Sequence, residues 1–321
     1  MRVVDPVAAR WPGVPAGRGH YESYYVRAVH PTEPRGFWIR YTVLVAPGSR
    51  PRGQLWCTLF DRSAARPQAM RADAGPIPTG GDAWIRLGDS SFDAAGIVGG
   101  MSAPGGSANW SLRVSNGEQP LLHLPLSWMY TSRLPRTKLT SPAPIALFDG
   151  TLEVDGTTIQ VEGWPGMIGH NWGEQHAEQW IWLHGLGFDG RGTDTWLDVA
   201  IGRVRMGPWV TPWTANGALS LDGERIPLGG LGRRVSVTAS SDRCELRIPG
   251  RKMTVSVSAG ATAEAFATWD YASPDGSLHR VLNCSVADLR ARVARPGHAP
   301  VELTAPARAV YELVRPIQDQ G

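Results

Sequence analysis

Short runs of partly alternating apolar and polar residues, each bounded by Gly, Pro or Asp, recur along the chain. YESYYVRAV, GFWIRYTVLV and GQLWCTLFD open the series, after an irregular Pro/Gly/Arg-rich arm over 1–19. A period of two reads as strand, because successive side chains of a strand point to opposite faces. Further strands are predicted at 83–87, 106–114 and 121–130. A short helix is predicted around Ser63–Arg71, and TSRLPRTKLTSPAPIA (131–146), with three prolines, reads as a loop. FDGTLEVDGTTIQVEG (148–163) reads as a hairpin, since Asp-Gly between alternating residues favours a two-residue turn. WIWLHGLG, DTWLDVAIGRV, GALSLDGERIPLG, RRVSVTAS, CELRIPG, MTVSVSAG, HRVLNCSVADLRARV and AVYELV continue the style to the end. No long amphipathic helix is found. The pattern predicts an all-β fold of antiparallel barrels or sandwiches.

A faint internal echo suggests two units. GFWIRYTVLV followed by QLWCTLFD resembles QWIWLHGLGF followed by DTWLDVAIG, each an aromatic strand, a loop and a strand with Trp two places before a polar residue (Trp56/Thr58, Trp196/Asp198). The expectation is a duplicated β-domain joined near 165, dividing the chain into 1–165 and 166–321.

Composition agrees with a turn-rich β protein, with 38 Gly and 26 Pro in 321 residues. The net charge is +3, and the arginines are scattered among acidic residues, with no basic block. No nucleic-acid partner is therefore expected. Cys57, Cys244 and Cys284 are sparse and odd in number, which points to a reducing compartment rather than a disulfide scaffold. The start, MRVVDPVAARWPG, has no apolar signal-peptide core, and no apolar run reaches the roughly 18 residues of a bilayer span. A cytoplasmic protein is expected, without a membrane span, its oligomeric state open. A loose membrane contact would suffice to collect an apolar substrate.

Candidate chemistry gathers in GHNWGEQHAEQWIWLHG (169–185). His170, His176 and His184 are six and eight residues apart, unlike the i, i+4 pair of a helical zinc motif, and no metal is expected. GLGFDG (185–190) matches a dinucleotide fingerprint but precedes a strand, so it reads as a hairpin loop and no cofactor is expected. On a strand, Trp180, Trp182 and His184 share one face and Ile181 and Leu183 the other. On the next, Trp196 and Asp198 share a face opposite Leu197, Val199 and Ile201. The aliphatic faces read as core, and the Trp/His/Asp face reads as the wall of a ligand cavity. Seven of the 14 tryptophans fall between 164 and 213. Trp209 and Trp213, in GPWVTPWT, would form a rim or lid, or anchor a domain joint.

At GMIGHNWGEQHAEQWIWLHG the chain resembles the carotenoid 1,2-hydratase (hydroxyneurosporene synthase) superfamily, with its tocopherol-cyclase-like and lipocalin-like Diels–Alderase relatives. His170-Asn171-Trp172-Gly173 and Trp180-Ile181-Trp182 carry the likeness, supported by PRTKLTSPAPIALFDGTLEVDG and AVYEL. The resemblance spans about 20–315. It implies two lipocalin-like, calycin-like β-domains with an apolar cavity at or near their junction. It also implies catalysis by a His-x-Trp pair, here His170/Trp172, and by an aromatic-x-Asp pair, here Trp196/Asp198. The family's aromatic there is usually Tyr, so Trp196 removes a phenolic donor.

These readings converge on an enzyme acting on an isoprenoid- or polyene-like molecule by acid-assisted alkene hydration or cyclisation. Asp198, kept protonated by burial, would be the acid; His170 or His184 would hold it or position water; the Trp faces would stabilise a carbocation. A Diels–Alder-type cyclisation polarised by Trp172, Asn171 or His170, or a non-catalytic carrier of a hydrophobic metabolite, are the alternatives.

Overall fold

The computed structural model describes residues 4–15, 17–206 and 208–315. Among them the first sheet has eleven strands: β1 (His20–Val29), β2 (Arg35–Val45), β3 (Arg52–Asp61), β4 (Gln68–Asp73), β5 (Ile85–Leu87), β6 (Ser90–Phe92), β7 (Gly96–Ala103), β8 (Gly106–Ser115), β9 (Leu121–Leu122), β10 (Thr137–Val154) and β11 (Thr157–Gly173). Their spatial order is β4-β3-β2-β1-β11-β10-β8-β7-β6-β5, with β9 on β10, all antiparallel. The second sheet holds β12 (Gln179–Gly185), β13 (Trp196–Arg203), β16 (Thr214–Leu221), β17 (Glu224–Gly229), β18 (Ser236–Ala239), β19 (Arg243–Gly250), β20 (Met253–Gly260), β21 (Ala267–Ala272), β22 (Leu278–Ala294) and β23 (Val301–Arg315). Eight of these close into an antiparallel barrel, β17-β16-β13-β12-β23-β22-β20-β19, completed by the Leu228–Gly250 pairing of β17 with β19. A two-stranded ribbon, β14 (Arg205–Met206) with β15 (Trp209–Val210), stands apart. The all-β, two-domain, calycin-like expectation holds. The chain changes sheets between Gly173 and Gln179, later than the joint expected near 165.

Strand β1 explains how the two sheets meet. All ten of its residues are buried. Glu22, Tyr24, Val26 and Ala28 point into the first sheet's own core, whereas Tyr21, Ser23, Tyr25 and Arg27 alternate to the opposite face, toward the second barrel. The same division runs through β2, where Phe37, Ile39 and Tyr41 belong to the first core and Trp38 and Arg40 to the junction. Burial on both faces accounts for the aromatic side chains that both faces of these two strands carry.

The hairpin expected at 148–163 forms, with its turn at Asp155-Gly156, both at positive φ (50° and 76°). Two expectations fail. The helix around Ser63–Arg71 is a turn followed by strand β4, which has β3 to pair with. The proline-rich 131–146 segment is a loop only to Arg136 and then enters β10. Pro142 and Pro144 fall at register shifts between Thr140 and Ala146, where the ladder with β11 is already interrupted and a missing N–H costs little. Those irregularities turn Ser141 and the Pro144 carbonyl toward the second barrel. The predicted strand at 121–130 is reduced to β9, followed by a 3₁₀ turn at Ser127–Tyr130.

Candidate functional site

A cavity of about 400 Å³ opens at the junction of the two sheets. The first domain contributes Tyr21 and Tyr25 of β1, Trp38 and Arg40 of β2, and Asn171 of β11; the second contributes Trp180 and Trp182 of β12, Tyr271 of β21 and Glu312 of β23. The segment after β9 supplies His123, Leu124, Trp128, Met129 and Leu134. Trp128, Leu134 and Leu231 are exposed large apolar side chains and mark the mouth.

The β12–β13 hairpin pairs as expected, with Trp182 opposite Ala200 and His184 opposite Asp198. Ile181, Leu183, Leu197, Val199 and Ile201 fill the barrel core. Of the opposite face, Trp180 and Trp182 reach the cavity, and Asn171 lines it with an Oδ1 that has no hydrogen-bond partner. Asp198 is fully buried one layer behind the wall. Its Oδ1 accepts from Trp182 Nε1 at 3.0 Å, its Oδ2 accepts from Ser141 Oγ at 2.5 Å, and His123 Nε2 lies 3.4 Å from Oδ2. Burial alone would raise its pKa, but His123 and these donors overcome that and hold it down at about 2. The expectation of a protonated Asp198 is therefore corrected: the donors around it favour the carboxylate. His123 faces oxygen at both ring nitrogens, with Nδ1 3.1 Å from Asn216 O and Nε2 3.0 Å from Ser141 Oγ. Of Asp198, Ser141 and His123, only His123 reaches the cavity wall.

His123 is not among the histidines that the sequence pattern singles out, and neither of those expected to act in catalysis, His170 and His184, contacts the cavity. His184 accepts from Arg27 Nη1 at Nδ1 (3.0 Å) and donates from Nε2 to Pro144 O (2.8 Å). Burial first, then the Arg27 charge, lower its pKa to about 4, so the ring is neutral. Arg27 also donates to Ser285 O and Arg308 O. Those carbonyls lie near register shifts in the β22–β23 ladder, and the network bolts the first sheet to the barrel. His170 is sandwiched between Tyr24 and Trp172, with ring centroids 4.0 and 4.5 Å away. It donates to Glu22 Oε1 and Pro6 O, both at 2.8 Å, and Glu22 also accepts the Arg10 and Trp11 backbone N–H groups. Burial would raise the Glu22 pKa, but hydrogen bonds from His170 and His20 bring it to about 2. The His-x-Trp pair thus straps the N-terminal arm onto the first sheet, because alternation along β11 sends His170 and Trp172 inward and Asn171 toward the cavity.

Three tryptophans are likewise relocated. Trp196 is buried with Leu121 and Ala218 away from the cavity, under the Arg225 guanidinium at 5.2 Å. Trp209 is 76% exposed and Trp213 stacks with Arg203 against the barrel core; neither lines the cavity, so the rim expected there is instead built by Trp128 and Leu134. Among the described residues no three His, Cys, Asp or Glu side chains are arranged to hold a metal ion, and no helix is long and apolar enough to cross a membrane.

No family model matches the chain. Two relatives from Mycobacterium tuberculosis, the uncharacterized proteins MT0513 (strain CDC 1551 / Oshkosh) and Rv0493c (strain ATCC 25618 / H37Rv), are each 27% identical over 307 residues. The match covers 92% of this chain and 88% of each relative. Among solved structures, NE1406 of Nitrosomonas europaea, provisionally assigned as an AttH, superposes with a TM-score of 0.55 at 15% identity, covering 96% of this chain and 94% of that one. Kievitone hydratase of Nectria haematococca superposes with a TM-score of 0.52 at 11% identity, covering 92% and 89%. The fold is shared with both. At these identities the likeness is one of architecture.

Several wall residues went unnoticed in the sequence. Glu312 accepts from Trp180 Nε1 and Asn283 Nδ2, both at 2.9 Å, and from the Tyr271 hydroxyl at 3.3 Å. Tyr25 lies edge-on to Trp182, 5.3 Å between centroids, and its hydroxyl has no hydrogen-bond partner among the described residues. Burial, reinforced by Asp198 and Glu312, raises its pKa well above the ordinary phenol value, so it is a neutral donor. The available signal was a charged residue inside an otherwise apolar strand, as with Arg40 in GFWIRYTVLV and Glu312 in AVYELV; such residues are seldom buried without a task.

Proposed function

We propose that this protein takes an apolar, isoprenoid- or polyene-like molecule into the junction cavity and hydrates or cyclises one of its alkenes with acid assistance. The observation that carries this reading is an aromatic cavity whose wall includes His123, backed by the buried Asp198 carboxylate. In this scheme the His123 ring turns Nδ1–H from Asn216 O toward the bound molecule and gives that proton to an alkene carbon, while Asp198 stays ionised beside Nε2. The carbocation faces the π-systems of Trp38, Trp180 and Trp182, an attraction of ~2 kcal/mol or more in a desolvated site. Water, or a π-bond of the same molecule, then captures the cation, and the released proton returns to His123.

The test is incubation of purified protein with a panel of isoprenoid and polyene alkenes in deuterated water, followed by mass spectrometry. Hydration adds the elements of deuterated water, one deuterium of it bound to carbon; proton-initiated cyclisation gives an isomer in which one deuterium bound to carbon replaces the hydrogen lost. Recovery of every bound alkene unchanged would sink the enzyme reading and leave a carrier. A second reading, pericyclic cyclisation, is favoured by the unpartnered neutral hydroxyl of Tyr25, suited to polarising a carbonyl. It yields an isomer with no carbon-bound deuterium.

A further inference from the structure

The outward face of the first sheet carries two buried arginines, and they differ in one respect. Arg27 spends its guanidinium on His184 and on the Ser285 and Arg308 carbonyls. Arg40, 4% exposed and lining the cavity, has a single strong hydrogen bond, from Nε to Ser23 Oγ at 2.8 Å. No carboxylate among the described residues is within ion-pair distance of it. Glu312 is connected to it only through the Tyr271 hydroxyl and is already engaged by Trp180 and Asn283. Three rings surround the guanidinium, Tyr271 at 4.2 Å, Trp56 at 5.5 Å and Trp38 at 5.8 Å. Rings of this kind hold a cation without neutralising it.

Three further polar atoms on cavity-lining residues are buried and unpaired: Trp38 Nε1, His176 Nε2 and Asn171 Oδ1. The other His176 nitrogen is engaged, at 3.0 Å from Ser273 Oγ. A hydrocarbon ligand would leave the Arg40 cation without a counter-ion, an arrangement that buried charges avoid. Of the other cations of the wall, Arg205 is paired with Glu178, and Lys138 and Arg136 donate to the neutral oxygens of Pro135 and Gln175; both of those arginines are exposed, whereas Arg40 is buried.

We propose that the cavity is shaped for a molecule with an apolar body and one carboxylate head, the head received by the planar fork of Arg40 beside Trp38. This rests on the reading of the cavity as a small-molecule site and adds the polarity of its ligand. One buried guanidinium without a carboxylate suits one negative charge rather than the two or more of a phosphate ester.

Retinoic acid and retinol, alike but for the carboxylate, are suitable probes when titrated into the full chain and followed by tryptophan quenching. Retinoic acid is expected to bind at least tenfold more tightly than retinol. Arg40→Met should erase that preference while keeping the affinity for retinol, which also reports an intact cavity, and Arg40→Lys should keep part of it. Equal affinities in the wild-type protein, or a preference that survives Arg40→Met, overturn the proposal. Tighter binding of retinyl phosphate than of retinoic acid overturns the choice of a carboxylate. Failure of both retinoids to bind overturns the cavity reading itself, and the proposal with it.

Discussion

Acidification should weaken the junction through His184 before the buried carboxylates titrate. The ring is neutral in the folded protein because burial disfavours its charged form and a proton on Nδ1 would face Arg27 Nη1 at 3.0 Å. Its pKa falls from 6.5 to about 4 on folding. Between those values the unfolded chain binds more protons than the folded one. The associated stability is therefore complete above about pH 6.5 and lost as pH falls toward 4. A shift of this size corresponds to about 3 kcal/mol. His176, held well below its ordinary value by burial and the Arg40 charge, acts in the same direction. Glu22 and Asp198, brought down to about 2 from 4.5 and 3.8, begin to lose their contributions only at the acid end of that window and below it, and equally in wild type and variant. His184→Gln keeps a donor for Pro144 O and an acceptor for Arg27 but does not titrate. Urea unfolding of both proteins, followed by tryptophan fluorescence from pH 7 to 4, isolates the residue. The stability difference between wild type and variant should move by about 3 kcal/mol across the range in favour of the variant. Identical pH dependence in the two would refute the assignment of a neutral, arginine-capped His184.

Four further outcomes follow from the same geometry. Asp198→Asn should lower turnover about 100-fold or more while leaving retinol affinity unchanged, as expected if it positions His123 instead of touching the ligand; equal turnover removes it from the mechanism. Glu22→Gln should cost about 3–5 kcal/mol and speed proteolysis within the N-terminal arm, because it breaks a buried pair with His170. Gly169→Ala would place a Cβ 2.1 Å from Tyr25 Cζ, so the ring must move and retinol titration should show at least a tenfold loss of affinity. Trp209→Ala should change thermal stability and probe affinity within error, since the side chain is 76% exposed and outside the cavity.

The β class, the Asp155-Gly156 hairpin and the pairing of Trp182 and His184 against Asp198 were legible because they depend on local period and turn chemistry. The side of the sheet each residue faces was also legible: Trp180 and Trp182 do share a wall. Depth was not. Trp182 reaches the cavity while Asp198 and His184 on that face stop behind it, and only the second domain's approach to β1 decides this. The ionisation of Asp198 was not legible for the same reason, since Ser141 and His123 lie more than fifty residues away, Ser141 in the proline-bearing stretch read as a loop and His123 in the strand predicted at 121–130. His170 and Trp172 were legible as a motif, but their partner, Glu22, sits 148 residues away, and no local pattern points to it.

The two-faced burial of β1 has a consequence for synthesis. The first sheet is complete once Gly173 has emerged, yet Arg27 finds its last acceptor, Arg308 O, only on the final strand. At ~5–20 residues per second, the roughly 140 residues that follow Gly173 take ~7–30 seconds to appear. Throughout that interval the nascent chain displays Tyr25, Trp38 and two uncompensated guanidinium groups on one open face. That half-made surface is the species a ribosome-associated chaperone would have to cover.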